Sequence, residues 1–235
     1  MEPVQYFRYS FLGFADPVSS MMHLLGASIA LILGIRLCIR FTGPTLQKLG
    51  LITFVSAMVF MLSMSGVYHL LDHNSPGRYV LQHLDYASIW LMIAGTFTPI
   101  HLILFQGWKR WGILVIIWTI AINGVVFITV FFDEFPLWLA LVFYLGMGWV
   151  GLYSGILIFR EHGLDFVRLL AYGGIAYSVG AILDFIGSPT IIPGVIETHE
   201  IFHFAIIIGI LCHWRFIEQA IKLSAIADNV ATESE

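Results

Sequence analysis

The chain has 235 residues, 59% of them hydrophobic and 11% charged, with a net charge of −4. Together with a mean hydropathy of +0.89, that balance excludes an ordinary soluble globular protein and predicts an integral, multi-pass membrane protein. The charge is modest and no basic run carries interleaved aromatics, which argues against a nucleic-acid partner.

The opening stretch Met1-Glu2-Pro3-Val4-Gln5-Tyr6 lacks the basic n-region and small-residue cleavage site of a signal peptide, so the first helix is predicted to be retained. Apolar stretches near the roughly 20 residues needed to cross a bilayer follow at about 18–39, 49–71, 84–105, 111–131, 137–159, 165–186 and 202–221. They predict an all-α fold, a single domain over residues 1–235 built as a bundle of seven transmembrane helices. Breakers mark the connections, as in Thr42-Gly43-Pro44, Asn74-Ser75-Pro76-Gly77, Glu134-Phe135-Pro136, and Ser188-Pro189 followed by Pro193-Gly194. Cys38 and Cys212 lie in or near spans and predict no disulfide framework. The last dozen residues, ending Thr232-Glu233-Ser234-Glu235, read as a short polar tail.

Lys and Arg set the expected orientation. With seven helices, the N-terminal side carries Arg8 and Arg78, whereas the other side carries Arg36, Arg40, Lys48, Lys109, Arg110, Arg160, Arg168, Arg215 and Lys222. Nine against two predicts the N-terminus outside and the C-terminus in the cytoplasm. Alternation of helix direction then puts the ends of helices 2, 4 and 6 on one face with the starts of 3, 5 and 7.

That face collects the polar residues of interest. Ser65 and His69 stand four apart in the last turns of helix 2, Asp85 opens helix 3, and His199 and His203 stand four apart at the start of helix 7. Residues i and i+4 share a helix face, and ionisable residues within spans face a bundle interior or a wet cavity. Three imidazoles and a carboxylate converging there read as a metal site. Neutral imidazole suits Zn²⁺, and three protein ligands plus water is the catalytic zinc pattern. The expected ligands are His69, His199 and His203. Asp85 is expected to hydrogen-bond the metal-bound water and accept its proton, and Ser65 to donate to a developing oxyanion. Zinc lowers the pKa of its water from 15.7 to about 7 and polarises a carbonyl. Set against this, a lone intramembrane His is more often packing than a ligand, and the same ligands could staple helices 2 and 7 without chemistry.

At these residues the chain resembles the hemolysin III proteins of the progestin and adipoQ receptor group. The likeness is carried by Ser65-Gly66-Val67-Tyr68-His69, by Leu84-Asp85-Tyr86-Ala87-Ser88-Ile89 running to Ala94-Gly95-Thr96-Phe97-Thr98-Pro99, and by His199-Glu200-Ile201-Phe202-His203. The resemblance covers nearly the whole chain. It implies a superfamily of membrane hydrolases that includes alkaline ceramidases, with His69, His199 and His203 as zinc ligands, Asp85 as water partner and Ser65 as accessory group. The family pattern of an acid, an Asn and a Thr-His pair at helix 1 is met only in part, because Asp16 to His23 keeps the acid and the His but lacks the Asn and Thr. His23 is therefore left outside the expected site. Adiponectin receptors imply a cytoplasmic N-terminus and zinc site, the reverse of the Lys/Arg count.

His199-Glu200-x-x-His203 also has the form of the H-E-x-x-H motif of zinc proteases, in which Glu activates the water. Against a protease, His213 lies ten residues beyond His203 and no well-spaced third ligand follows. Glu200 is read as an outer partner or as a solvated acid at a helix start. Asp72, His73 and His83 read as solvated loop residues, Asp184 as a candidate to orient a ligand imidazole, and His101, His162 and His213 as interfacial residues of the opposite face. The leading expectation is zinc-dependent hydrolysis of a lipid amide or ester, with membrane lipid as partner. The alternatives are a seven-helix receptor or regulatory protein with structural zinc and, ranked lower, an intramembrane protease or a cytolytic pore.

Overall fold

The computed structural model describes residues 10–233. Its helices are α1 (Pro17–Arg40), α2 (Thr45–Leu70), α3 (Pro76–Leu104), α4 (Gly107–Val130), α5 (Leu137–His162), α6 (Leu164–Ile186) and α7 (Thr198–Glu233). All seven are long and apolar enough to cross a membrane. Arg8 and the Met1–Tyr6 stretch, on which two expectations rested, lie outside the described residues, as do Ser234 and Glu235.

Burial grades the helices from centre to rim. In α3, 72% of the most apolar stretch is buried and in α2 56%, against 17% in α5 and 11% in α6. The outer helices stay apolar on their exposed faces, as lipid contact requires. α1 follows this pattern. Ser19, Ser20, His23, Ala27, Ala30 and Gly34 are buried at spacings of one, three and four, while Leu25, Ile29, Ile32 and Ile39 are exposed. The buried stripe is small, which lets helices approach closely where lipid offers no hydrophobic drive between them. α1 packs on α2 and α7, α2 on α3, α6 on both α5 and α7, and α3 touches α4, α5 and α7 as well. Phe54, Met58, Leu62, Ile100, Ile206 and Phe216 belong to the core that joins α2, α3 and α7.

Helix boundaries differ from the expected spans, and the polar ends explain why. α3 starts at Pro76 rather than about 84, because Pro at the first helical position and the Ser75 side chain, accepting from the Arg78 N–H at 3.2 Å, begin a helix that hydropathy does not mark. Asp85 therefore does not open the helix; it sits in the third turn. α2 and α4 begin about one turn earlier than expected, at Thr45 and Gly107, and α5 runs on to His162. α7 extends from Thr198 to Glu233 rather than 202–221. The polar tail is thus a continuation of that helix as far as the described residues reach.

Candidate metal centre

Three chain segments are tied together before any site chemistry is considered. The C-terminal carbonyls of α2 lack partners within their own helix, and the segment entering α1 supplies them. The Ala15 N–H donates to Leu70 O at 3.2 Å and the Asp16 N–H to His69 O at 3.0 Å. One turn into α1, Ser20 Oγ donates to Gly66 O at 2.6 Å. α7 is fixed at its start by Glu200, whose Oε2 accepts the Glu197 N–H at 3.0 Å, the reach-back half of a capping box. The other oxygen, Oε1, accepts Ser19 Oγ from α1 at 3.0 Å.

This framework brings His69, His199 and His203 together, with one ligating atom from each lying within 4.8 Å of the others. His69 and His203 are each only 2% exposed, whereas the His199 and Asp184 side chains are each 32% exposed and form the open edge. His69 Nδ1 faces Asp16 Oδ2 at 3.0 Å, and His199 Nδ1 faces Asp184 Oδ1 at 3.3 Å. A carboxylate only accepts, so each Nδ1 carries the proton and each neutral ring is left with its lone pair on Nε2. Those two Nε2 atoms stand 3.2 Å apart. Facing lone pairs repel, so the arrangement calls for a cation between them, either a metal ion or an extra proton on one ring. Zn–N bonds of 2.0–2.1 Å at a tetrahedral centre separate two nitrogens by about 3.3 Å, close to the separation found. His203 adds a buried Nδ1 without a hydrogen-bond partner. The donor set fits zinc, and the carboxylate behind two of the imidazoles is the outer support that metal-ligating histidines ordinarily have.

Around this triad the structure places the other expected residues. Asp85 lies outside the triad of donor atoms, with the Ser65 side chain as its hydrogen-bonding neighbour. Ser65 is buried and addresses a carboxylate rather than open space. Asp184 meets His199, the orienting position foreseen for it. Glu200 is occupied by Ser19 and the start of its own helix, which is not the disposition of a water-activating acid. His83 is bound to its own helix through Tyr79 O at 2.7 Å. Asp72 Oδ1 accepts the Asn74 N–H within the loop, while His73, 45% exposed, reaches Asp16 Oδ1 at 3.5 Å and so is not simply solvated.

Two residues were missed or set aside. Asp16 is 5% exposed and binds His69; burial pushes its pKa up, but the hydrogen bonds from His69 and Arg78 and the Arg78 charge outweigh this and hold it well below the ordinary carboxylate range. Position alone, just outside the first helix, hid that role. His23 is fully buried and stacks on His203 with ring centroids 4.1 Å apart, so it belongs to the wall of the site. At the far end of the bundle, His101 is buried rather than interfacial, held by Lys109 O at 2.8 Å and Ser154 Oγ at 3.0 Å. His213 is likewise buried and faces Leu170 O at 3.2 Å.

Residues 14–214 match the model of a family described as haemolysin-III related. The chain is similar to "Hemolysin-3" of Bacillus cereus, with 36% identity over 129 residues, covering 54% of this chain and 57% of that relative. It is similar to "Hemolysin-3 homolog" of Bacillus subtilis (strain 168) at 35% identity over 128 residues, 54% of this chain and 59% of the relative. The matched stretch thus spans little more than half the length of either relative.

Proposed function

Because this chain belongs to the haemolysin-III-related family of membrane proteins, we propose that it is a zinc-dependent hydrolase of lipid amide or ester bonds. The observation that carries this reading is the pair of imidazoles whose Nδ1 atoms are held by Asp16 and Asp184 while their Nε2 atoms face each other at 3.2 Å. His69, His199 and His203 would hold the ion. A bound zinc supplies Lewis acidity for activating water and polarising a carbonyl. Asp85 takes the proton of the attacking water, its carboxylate aimed by Ser65. The water oxygen bonds to the acyl carbon, the C–N or C–O bond breaks, and the amine or alcohol leaves with the proton that Asp85 returns. The exposed edge at His199 and Asp184 lies beside Phe185 and Ile186, which are 65% and 64% exposed. An apolar rim next to a polar centre suits a lipid better than a soluble substrate.

A second reading, a receptor or regulatory protein with structural zinc, draws on the burial of His69 and His203, since the same ligands join α2 to α7. Metal content and Asp85 separate the two. Detergent-purified wild type should hold about one zinc per chain, and folded His69→Ala and His203→Ala should lose it. Asp85→Asn should keep zinc and lose hydrolysis of lipid amides or esters, by a factor of about 10²–10⁴. Folded wild type that stays metal-free after zinc reconstitution would sink the hydrolase. Unchanged function in Asp85→Asn would favour structural zinc.

The orientation that accompanies this reading puts the N-terminus and the site outside the cytoplasm. Arg78 is committed to Asp16 inside the bundle, so it contributes little free positive charge to the site face, and the Lys/Arg asymmetry toward the other face becomes sharper.

A further inference from the structure

The proposed zinc site leaves one buried cation without a task. Arg78, in the first turn of α3, is 6% exposed, a rare state for an arginine unless its charge is matched. Its Nη2 donates to Asp16 Oδ2 at 2.5 Å and its Nη1 to Leu71 O at 2.5 Å. The guanidinium also lies over the Tyr68 ring, 4.5 Å from the centroid. Asp16 Oδ2 is the same oxygen that accepts from His69 Nδ1 at 3.0 Å.

From this chain of contacts we infer that Arg78 is a positioning residue, fixing Asp16 as the acceptor that keeps the His69 proton on Nδ1 and so presents the Nε2 lone pair to the metal. The inference rests on the metal-site reading for its purpose, but its first consequence, the tautomer of His69, exists without metal. The fork of Arg78 does two things a point charge cannot do together. One arm loads Asp16, and the other binds the carbonyl that follows the last turn of α2, so the acid and the helix that carries His69 are held in register. Tyr68, adjacent to His69, covers one face of the guanidinium. Helix α3 thereby reaches the metal centre from two places, Asp85 in its third turn and Arg78 in its first.

The test uses the full chain in detergent, labelled with ¹⁵N-histidine and freed of metal, at about pH 8, above the ordinary imidazole range. The His69 signal is assigned by its loss in His69→Ala. Wild type should show His69 protonated on Nδ1. Arg78→Gln should lose that preference and bind zinc, measured against a competing chelator, about 10–100-fold more weakly. Arg78→Lys, which keeps the cation but loses the fork, should restore the tautomer through Asp16 and recover only part of the affinity. A folded Arg78→Gln with unchanged tautomer and unchanged zinc affinity overturns the inference. So does wild-type His69 protonated on Nε2, a result that needs no variant to fold. Wild type that binds no zinc while the tautomer still depends on Arg78 would end the hydrolase reading and leave the positioning role standing.

Discussion

The chemistry of the candidate site is decided by which nitrogen of each imidazole holds a proton. Asp16 and Asp184 make that choice for His69 and His199, and no such partner is needed for Glu200 to do its work. Glu200 gives one oxygen to Ser19 and the other to the backbone N–H of Glu197. Replacing it with Ala should therefore lower stability by about 1 kcal/mol, the usual worth of a helix cap, while zinc content stays near wild type. Thermal unfolding and metal analysis on the same preparation would check this. Loss of hydrolysis as deep as in Asp85→Asn would instead restore the H-E-x-x-H reading. At this scale the sequence was legible where spacing carried information. The convergence of His69, His199 and His203 follows from i,i+4 spacing and helix direction. Asp16 and Arg78 do not follow in this way, because neither belongs to a periodic pattern; each gains its role from a contact across more than fifty residues of chain, visible only after folding.

Among the elements, the site is a junction of helix ends with one helix interior. α2 brings His69 in its last turn, α7 brings His199 and His203 in its first turns, and α3 passes Asp85 beside them. The close approach of α1 to α2 sets the height of His69, and it depends on Gly66. A Cβ there would meet Leu24 Cγ at 2.7 Å and the Leu24 backbone nitrogen at 3.0 Å, and the carbonyl of Gly66 is also the acceptor for Ser20. Gly66→Val should push α1 and α2 apart at an overpacking cost of about 1–3 kcal/mol, with weakened zinc retention because Asp16 moves with α1. The measurement is a paired thermal midpoint and zinc titration; a stable variant with full zinc affinity would show that the helix spacing does not govern the site. Seven apolar stretches gave the number of helices readily, since lipid-facing faces stay apolar whatever they pack against. The start of α3 was not legible by hydropathy, because Arg78, Gln82 and His83 dilute its first turns. Its signal was local instead, the Ser75-Pro76 start.

For the molecule as a whole, the two ends of the bundle differ in kind. The site end holds acids and imidazoles whose one described arginine is buried against Asp16, while the opposite end carries Arg36, Arg40, Lys48, Lys109, Arg110, Arg160, Arg168, Arg215 and Lys222. Positive charge near span ends is retained in the cytoplasm, so the orientation proposed above has the site on the other side of the membrane, opposite to the one that a likeness to adiponectin receptors implies. Two exposed loop positions decide between them, Asn74 at the site end and Gln106 at the cationic end. With Cys38 and Cys212 first replaced by alanine, a cysteine substituted for Asn74 should react with a membrane-impermeant maleimide on intact cells. One substituted for Gln106 should react only after the membrane is opened. The reverse pattern would place the candidate metal site in the cytoplasm and, for the proposed hydrolase, would move the search for substrate from lipids of the outer leaflet to those of the inner one.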